Sequence, residues 1–110
     1  MLIGVPKEIK SDEYRVGLTP ESVEKLTQSG HEVMIEQNAG LGIGKDNKAY
    51  EDSAAEIVPT RVEIFQRAEM IVKVKEPQLD ECALLRSDQI LFTYLHLAPD
   101  PEQVKALLAS

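Results

Sequence analysis

The chain has 110 residues, 43% of them hydrophobic and 28% charged. This is the composition of one soluble globular domain, too short for two and too apolar for a disordered chain. Its formal net charge of -7 argues against a nucleic-acid or anionic-membrane surface, both of which need a basic footprint. One cysteine, Cys82, leaves no disulfide framework and points to a reducing, cytoplasmic setting.

The opening Met1-Leu2-Ile3-Gly4-Val5-Pro6-Lys7-Glu8 has no basic leader followed by a long apolar stretch, so it reads neither as a secretory signal nor as a membrane span. Leu2–Val5 is instead a first strand, closed by Pro6. A polar connection runs from Lys7 to Leu18, long for an α/β domain, and it carries Lys7, Glu8, Lys10, Asp12, Glu13 and Arg15. Thr19-Pro20-Glu21 starts a helix, with a hydroxyl cap, a proline at the first position and acidic residues near the positive end of the dipole. Val23 and Leu26 mark its apolar face and Gly30 its end.

His31–Glu36 is the second strand, completing a βαβ unit with a right-handed crossover. Gly40-Leu41-Gly42-Ile43-Gly44 has GxGxG rather than GxGxxG spacing and leads into no hydrophobic helix, so it reads as a flexible turn and not a phosphate cradle. A short helix is expected within Asp46–Ala55 and a brief strand at Glu56–Val58. Thr60 and Glu63 have capping-box spacing, and Ile64, Phe65 and Ala68 face a core. Met70–Lys75 reads as an alternating strand, with Lys73 and Lys75 on one face. A weak helix follows at Leu79–Arg86. Ile90–Leu97 is a solid apolar run, expected to be a strand buried on both faces. Asp100-Pro101-Glu102-Gln103 caps a last helix with Val104, Leu107 and Leu108 on its stripe.

Alternating strands and helices predict an α/β fold with a mostly parallel sheet and helices on both faces, Rossmann-like or flavodoxin-like. The chain stops at Ser110 directly after a helix, where such a fold continues into a strand, so it reads as one incomplete part of a longer polypeptide.

Parallel strands share a carboxyl edge, where ligands bind in open α/β sheets. Arg15 follows the first strand, Lys75 ends the Met70–Lys75 strand, and His96 lies near the end of Ile90–Leu97, with Tyr94 on the same face as His96. An arginine fork, an ammonium donor and a group that exchanges a proton near neutral pH suit a small carboxylate with an electrophilic centre. Each residue also has a plain structural reading. Arg15 is a solvated charge beside Asp12 and Glu13, Lys75 reaches solvent from a strand end, and His96 is a structural histidine. Their convergence favours a site. Cys82 has only Arg86 near it and reads as inert packing, His31 as a surface residue, and no Cys/His spacing suggests a metal.

Ile3–Lys10, Glu13–Pro20, Val72–Pro77 and Phe92–Ala98, in this order and spacing, resemble the bacterial L-alanine dehydrogenases. The resemblance runs from residue 1 to 110. It implies reversible oxidative deamination of L-alanine to pyruvate and ammonium with NAD, in a cytoplasmic homo-oligomer, usually a hexamer. It also implies that residues 1–110 are the amino-terminal segment of the substrate domain, that the NAD-binding domain and an active-site aspartate lie beyond residue 110, and that this segment alone is inactive. On the matching motif positions, Arg15 holds the substrate carboxylate, Lys75 contacts the substrate oxygen or nitrogen and His96 is the acid/base, with Tyr94 beside it. Two other readings remain: the NAD-binding component of proton-translocating transhydrogenase, and a non-catalytic α/β module that binds a small carboxylate.

Overall fold

The computed structural model describes residues 1–9, 13–75 and 77–93. Strand β1 (Leu2–Val5) is followed by Pro6, which has no N–H to extend a ladder. Helix α1 (Pro20–Gln28) begins where the Thr19 hydroxyl accepts the Ser22 N–H, with Pro20 in the first turn. It ends at Ser29, and Gly30 (φ 94°) turns the chain, a left-handed conformation that costs glycine little. Strand β2 (Glu32–Glu36), a 3-10 turn (Leu41–Ile43) and helix α2 (Asn47–Asp52) follow. The Asp46 carboxylate caps α2 by accepting the Ala49 N–H. Strand β3 (Glu56–Val58) leads to helix α3 (Arg61–Arg67), capped by the Thr60 hydroxyl on the Glu63 N–H. Strand β4 (Met70–Val72), helix α4 (Leu79–Cys82) and strand β5 (Ile90–Phe92) complete the described elements.

All five strands are parallel and lie in the order β3-β2-β1-β4-β5. The two-residue period of the central strands feeds two separate cores. Ile3, Val5, Val33 and Ile35 pack with Val23 of α1 and Tyr50 of α2. Met34, Val58 and Ile71 pack with Ile64, Phe65 and Ala68 at α3. The sheet is thus covered on both faces, as expected. The strand order reverses beside β1, whose exit and that of β4 therefore form the topological switch point where ligands bind in open α/β sheets. Among the described residues no helix is long and apolar enough to cross a membrane.

Tyr50 ties the loop after β1 to this frame. Its hydroxyl donates to the Leu18 carbonyl at 2.8 Å, and burial, with Glu21 adding its charge, pushes the phenol up to about 12. Tyr50→Phe leaves that carbonyl without its donor. It is expected to cost about 1 kcal/mol, read as a lower denaturation midpoint.

Four expectations are corrected. The strand expected over Met70–Lys75 stops at Val72, and Lys73 is not a strand-face lysine at the surface: only 4% of it is exposed. The chain bends at Val74 and Lys75, so Lys75 lies beyond the strand and not at its last position. The Ile90 strand is not buried on both faces. Among the described strands it stands at the edge of the sheet, with Ile90 47% and Phe92 68% exposed, and the part expected from Tyr94 onward lies outside the described residues. The helix expected over Leu79–Arg86 is the short α4. His31 is half-buried rather than a free surface residue, and its Nδ1 has no hydrogen-bond partner. The last expected helix, from Asp100, also lies outside the described residues.

Candidate functional site at the carboxyl edge

The loops leaving β1 and β4 are joined by Glu8, whose side chain is 2% exposed. One carboxylate oxygen accepts from the Lys73 ammonium at 3.2 Å and from the Lys75 N–H at 3.2 Å. The other accepts the Val74 N–H at 3.0 Å. Lys73 also donates to Glu81 at 3.3 Å. Glu81, fully buried on α4, accepts the Gln78 N–H with its second oxygen. Two buried carboxylates thus share one buried ammonium, and hydrogen bonds from the backbone hold the remaining oxygens. Such a cluster is tolerated only when its charges are paired and hydrogen-bonded.

Burial pushes the Glu81 carboxyl above the usual range, against the opposing pull of Lys73. The folded chain therefore keeps this proton at pH values where the unfolded chain has released it. Glu81's contribution to stability falls as pH rises from the ordinary carboxylate range through the raised native value. A carboxyl-carbon NMR titration is expected to find Glu81 titrating above the solvent-exposed glutamates.

Arg15 stands on the loop after β1 with its side chain 65% exposed. Its Nε and one Nη grip the two oxygens of Glu13 at 3.0 and 2.9 Å, and the Glu13 carboxylate also accepts the Arg15 N–H. The hydrogen bond from Arg15 holds the Glu13 carboxyl below its usual range and raises the guanidinium in return. Glu13 occupies one edge of the fork. Among the described residues the other edge, the two outward Nη groups, meets no second acceptor, and its geometry suits a further carboxylate. Glu13 also feels the charge of Lys75, and Arg15 that of Glu8. Arg15 and Lys75 therefore share one electrostatic neighbourhood at the carboxyl edge. Lys75 is fixed by its backbone from both sides: its N–H by Glu8, and its carbonyl by the Thr93 hydroxyl at 2.8 Å, just past β5. Tyr94 and His96 lie outside the described residues.

A cleft of about 260 Å³ opens beside Arg15, walled by Glu8, Glu13 and Tyr14 on one side and Asn38, Ala39 and Gly42 on the other. The glycine-rich segment is packed against this wall. A Cβ on Gly42 would come within 2.2 Å of the Tyr14 carbonyl oxygen, so the glycine is required for close backbone approach. Gly42→Ala is expected to push the two loops apart and to lower substrate affinity more than the denaturation midpoint. Ligand titration alongside thermal unfolding checks this. The segment forms a 3-10 turn, Leu41–Ile43, closed by Gly44 at φ 78°. Among the described residues no group of three or more His, Cys, Asp or Glu could hold a metal ion.

No pattern in the sequence marks Glu8, Lys73 or Glu81 as partners. Their charges alone read as solvated, and only the sheet order brings residues 8 and 73 together.

Residues 4–110 match the family model described as "Alanine dehydrogenase/PNT, N-terminal domain". The chain belongs to this family. The alanine dehydrogenase of Methanococcus maripaludis is 56% identical over 108 residues, covering 98% of this chain and 29% of that protein. The Bacillus subtilis alanine dehydrogenase is 51% identical over 107 residues, 97% of this chain and 28% of its own length. Among solved structures, an L-alanine dehydrogenase superposes with a TM-score of 0.94 at 50% identity, over 99% of this chain and 30% of that one. A transhydrogenase from Sinorhizobium meliloti superposes with a TM-score of 0.88 at 28% identity, over 97% and 32%. The chain thus spans a little under a third of the length of these relatives.

Proposed function

We propose that this segment is the opening part of the substrate domain of an NAD-dependent L-alanine dehydrogenase, which converts L-alanine, NAD and water to pyruvate, ammonium and NADH. The observation that carries the reading is the 56% identity over 98% of the chain to an alanine dehydrogenase, together with an arginine fork beside the cleft whose outward edge meets no acceptor among the described residues. The similarity to the transhydrogenase is lower, at 28%, which makes transhydrogenase the second reading.

In this reading the outward edge of Arg15 binds the substrate carboxylate and fixes the orientation of the α-carbon. The Lys75 ammonium donates to the oxygen that develops at that carbon. His96 moves the proton that water gives up as it adds, and Tyr94 lines the same side. By family resemblance NAD is held by a domain beyond residue 110, and the segment alone neither binds it nor turns over alanine. The whole protein is a cytoplasmic homo-oligomer, a hexamer by family resemblance.

In the full-length chain His96→Ala is expected to depress kcat more than it raises KM, by about 10²- to 10⁴-fold, the usual contribution of general acid–base catalysis. Steady-state kinetics in both directions test this. Near-normal alanine turnover by the variant rules out the acid/base role.

A further inference from the structure

The Glu8 carboxylate is among the least exposed polar groups described, and it sits at the switch point behind the cleft wall. Both of its oxygens are spent on the segment after β4: the Lys73 ammonium and the Lys75 N–H on one, the Val74 N–H on the other. The ladder ends at the Lys73 N–H, which donates to the Phe92 carbonyl at 3.0 Å; beyond it, among the described residues, the Val74 and Lys75 backbone is held by the side chains of Glu8 and Thr93. Thr93 holds the Lys75 carbonyl from the β5 side. Lys73 balances the charge of Glu8 inside the protein and is in turn held by Glu81 on α4.

We propose that Glu8 is a positioning residue for Lys75: its buried carboxylate, charge-balanced by Lys73, clamps the Val74–Lys75 backbone at the carboxyl edge and so sets where the Lys75 ammonium meets the substrate. The proposal rests on the alanine dehydrogenase reading for the use of Lys75, but the clamp itself does not. Glutamine cannot replace Glu8, because both oxygens accept. An amide must turn its NH₂ toward either the Val74 N–H or the Lys73–Lys75 pair of donors, and one donor loses its partner. Aspartate keeps the charge but is one methylene short of the segment. A displacement of this order is enough to cost catalysis about 10²-fold.

The test uses the full-length protein, with Glu8→Gln, Glu8→Asp, Lys75→Ala and the two double variants. Amide hydrogen exchange at Val74 and Lys75 reads the clamp directly, and alanine-dependent NADH formation reads its use. Faster exchange in Glu8→Gln is expected, with kcat lowered ~10- to 100-fold and little change in thermal midpoint for Glu8→Asp. In the Lys75→Ala background the Glu8 substitutions are expected to cost almost nothing further, since they act through a side chain already removed. Unchanged exchange at Val74 and Lys75 overturns the clamp. Faster exchange with fully additive kinetic losses overturns the positioning role and leaves Glu8 as a fold residue. A wild-type protein with no alanine-dependent turnover overturns the functional reading and the catalytic use of the clamp together, while the exchange data still decide whether the clamp exists.

Discussion

Arg15→Ala in the full-length protein is expected to raise the KM for alanine and pyruvate and to lower kcat/KM by roughly 30-fold to several thousand-fold. That range corresponds to about 2 to 5 kcal/mol for removing one partner of a closely hydrogen-bonded charge pair. The size of the loss follows from how the guanidinium is held. Glu13 takes the Nε edge with two bonds near 3 Å, so the fork has a fixed direction before substrate arrives and loses less freedom on binding. Arg15→Lys is expected to recover little, because an ammonium has no second edge to present while the first is held by Glu13. Glu13→Gln is expected to show an intermediate loss, since the amide accepts one of the two bonds and leaves the guanidinium freer to turn. Parallel KM and kcat measurements distinguish these outcomes. A loss in kcat alone, with KM unchanged, contradicts the assignment of Arg15 to the substrate carboxylate.

Lys73→Met is expected to be the most damaging single change to stability, at about 3 to 5 kcal/mol. It removes the cation that, among the described residues, is bonded to both Glu8 and Glu81, whose side chains are 2% and 0% exposed, and leaves two carboxylates close together in the interior. A buried carboxylate without its cation takes up a proton to stay inside, so the loss is expected to shrink as pH is lowered toward the range where both are neutral. The double variant Lys73→Met/Glu81→Gln is expected to regain part of the stability. The amide carbonyl still accepts the Gln78 N–H that caps α4, while the like-charge repulsion is gone. Urea denaturation of the full-length chain at neutral and mildly acidic pH measures both effects. Equal midpoints for wild type and Lys73→Met contradict the view that the triad is a coupled buried unit.

The fold was legible where local chemistry is decisive. Thr19-Pro20, Asp46 and Thr60 each start a helix because a short oxygen-bearing side chain accepts an otherwise orphaned N–H. Gly30 ends one because the turn needs a positive φ. The parallel sheet with two covered faces followed from the alternation of elements. Strand ends were less legible. Lys73 continues the two-residue pattern of β4 in sequence, yet its burial is decided by Glu8, 65 positions earlier, and no periodicity carries that information. The Ile90 strand is as apolar as a buried one, but its place in the sheet is an edge, and strand order is a tertiary property.

The site divides the same way. Arg15 and Lys75 stand out in the sequence as candidates because charged residues at strand exits of one parallel edge converge by topology. Glu13 as the holder of Arg15, and Thr93 and Glu8 as the holders of Lys75, became visible only with the backbone hydrogen bonds in hand. Gly42 was read as a flexible turn residue, whereas it is the point where two loops touch.

The central claim is that these loops form the carboxylate-binding half of an alanine dehydrogenase. Its most direct measurement is initial-rate formation of NADH by the full-length protein with L-alanine, and of NAD with pyruvate and ammonium. The account predicts turnover in both directions that is lost with Arg15→Ala and restored by no other small amino acid to the same level. Hydride exchange between two nicotinamide nucleotides without any requirement for alanine contradicts it and assigns the protein to the transhydrogenase reading instead.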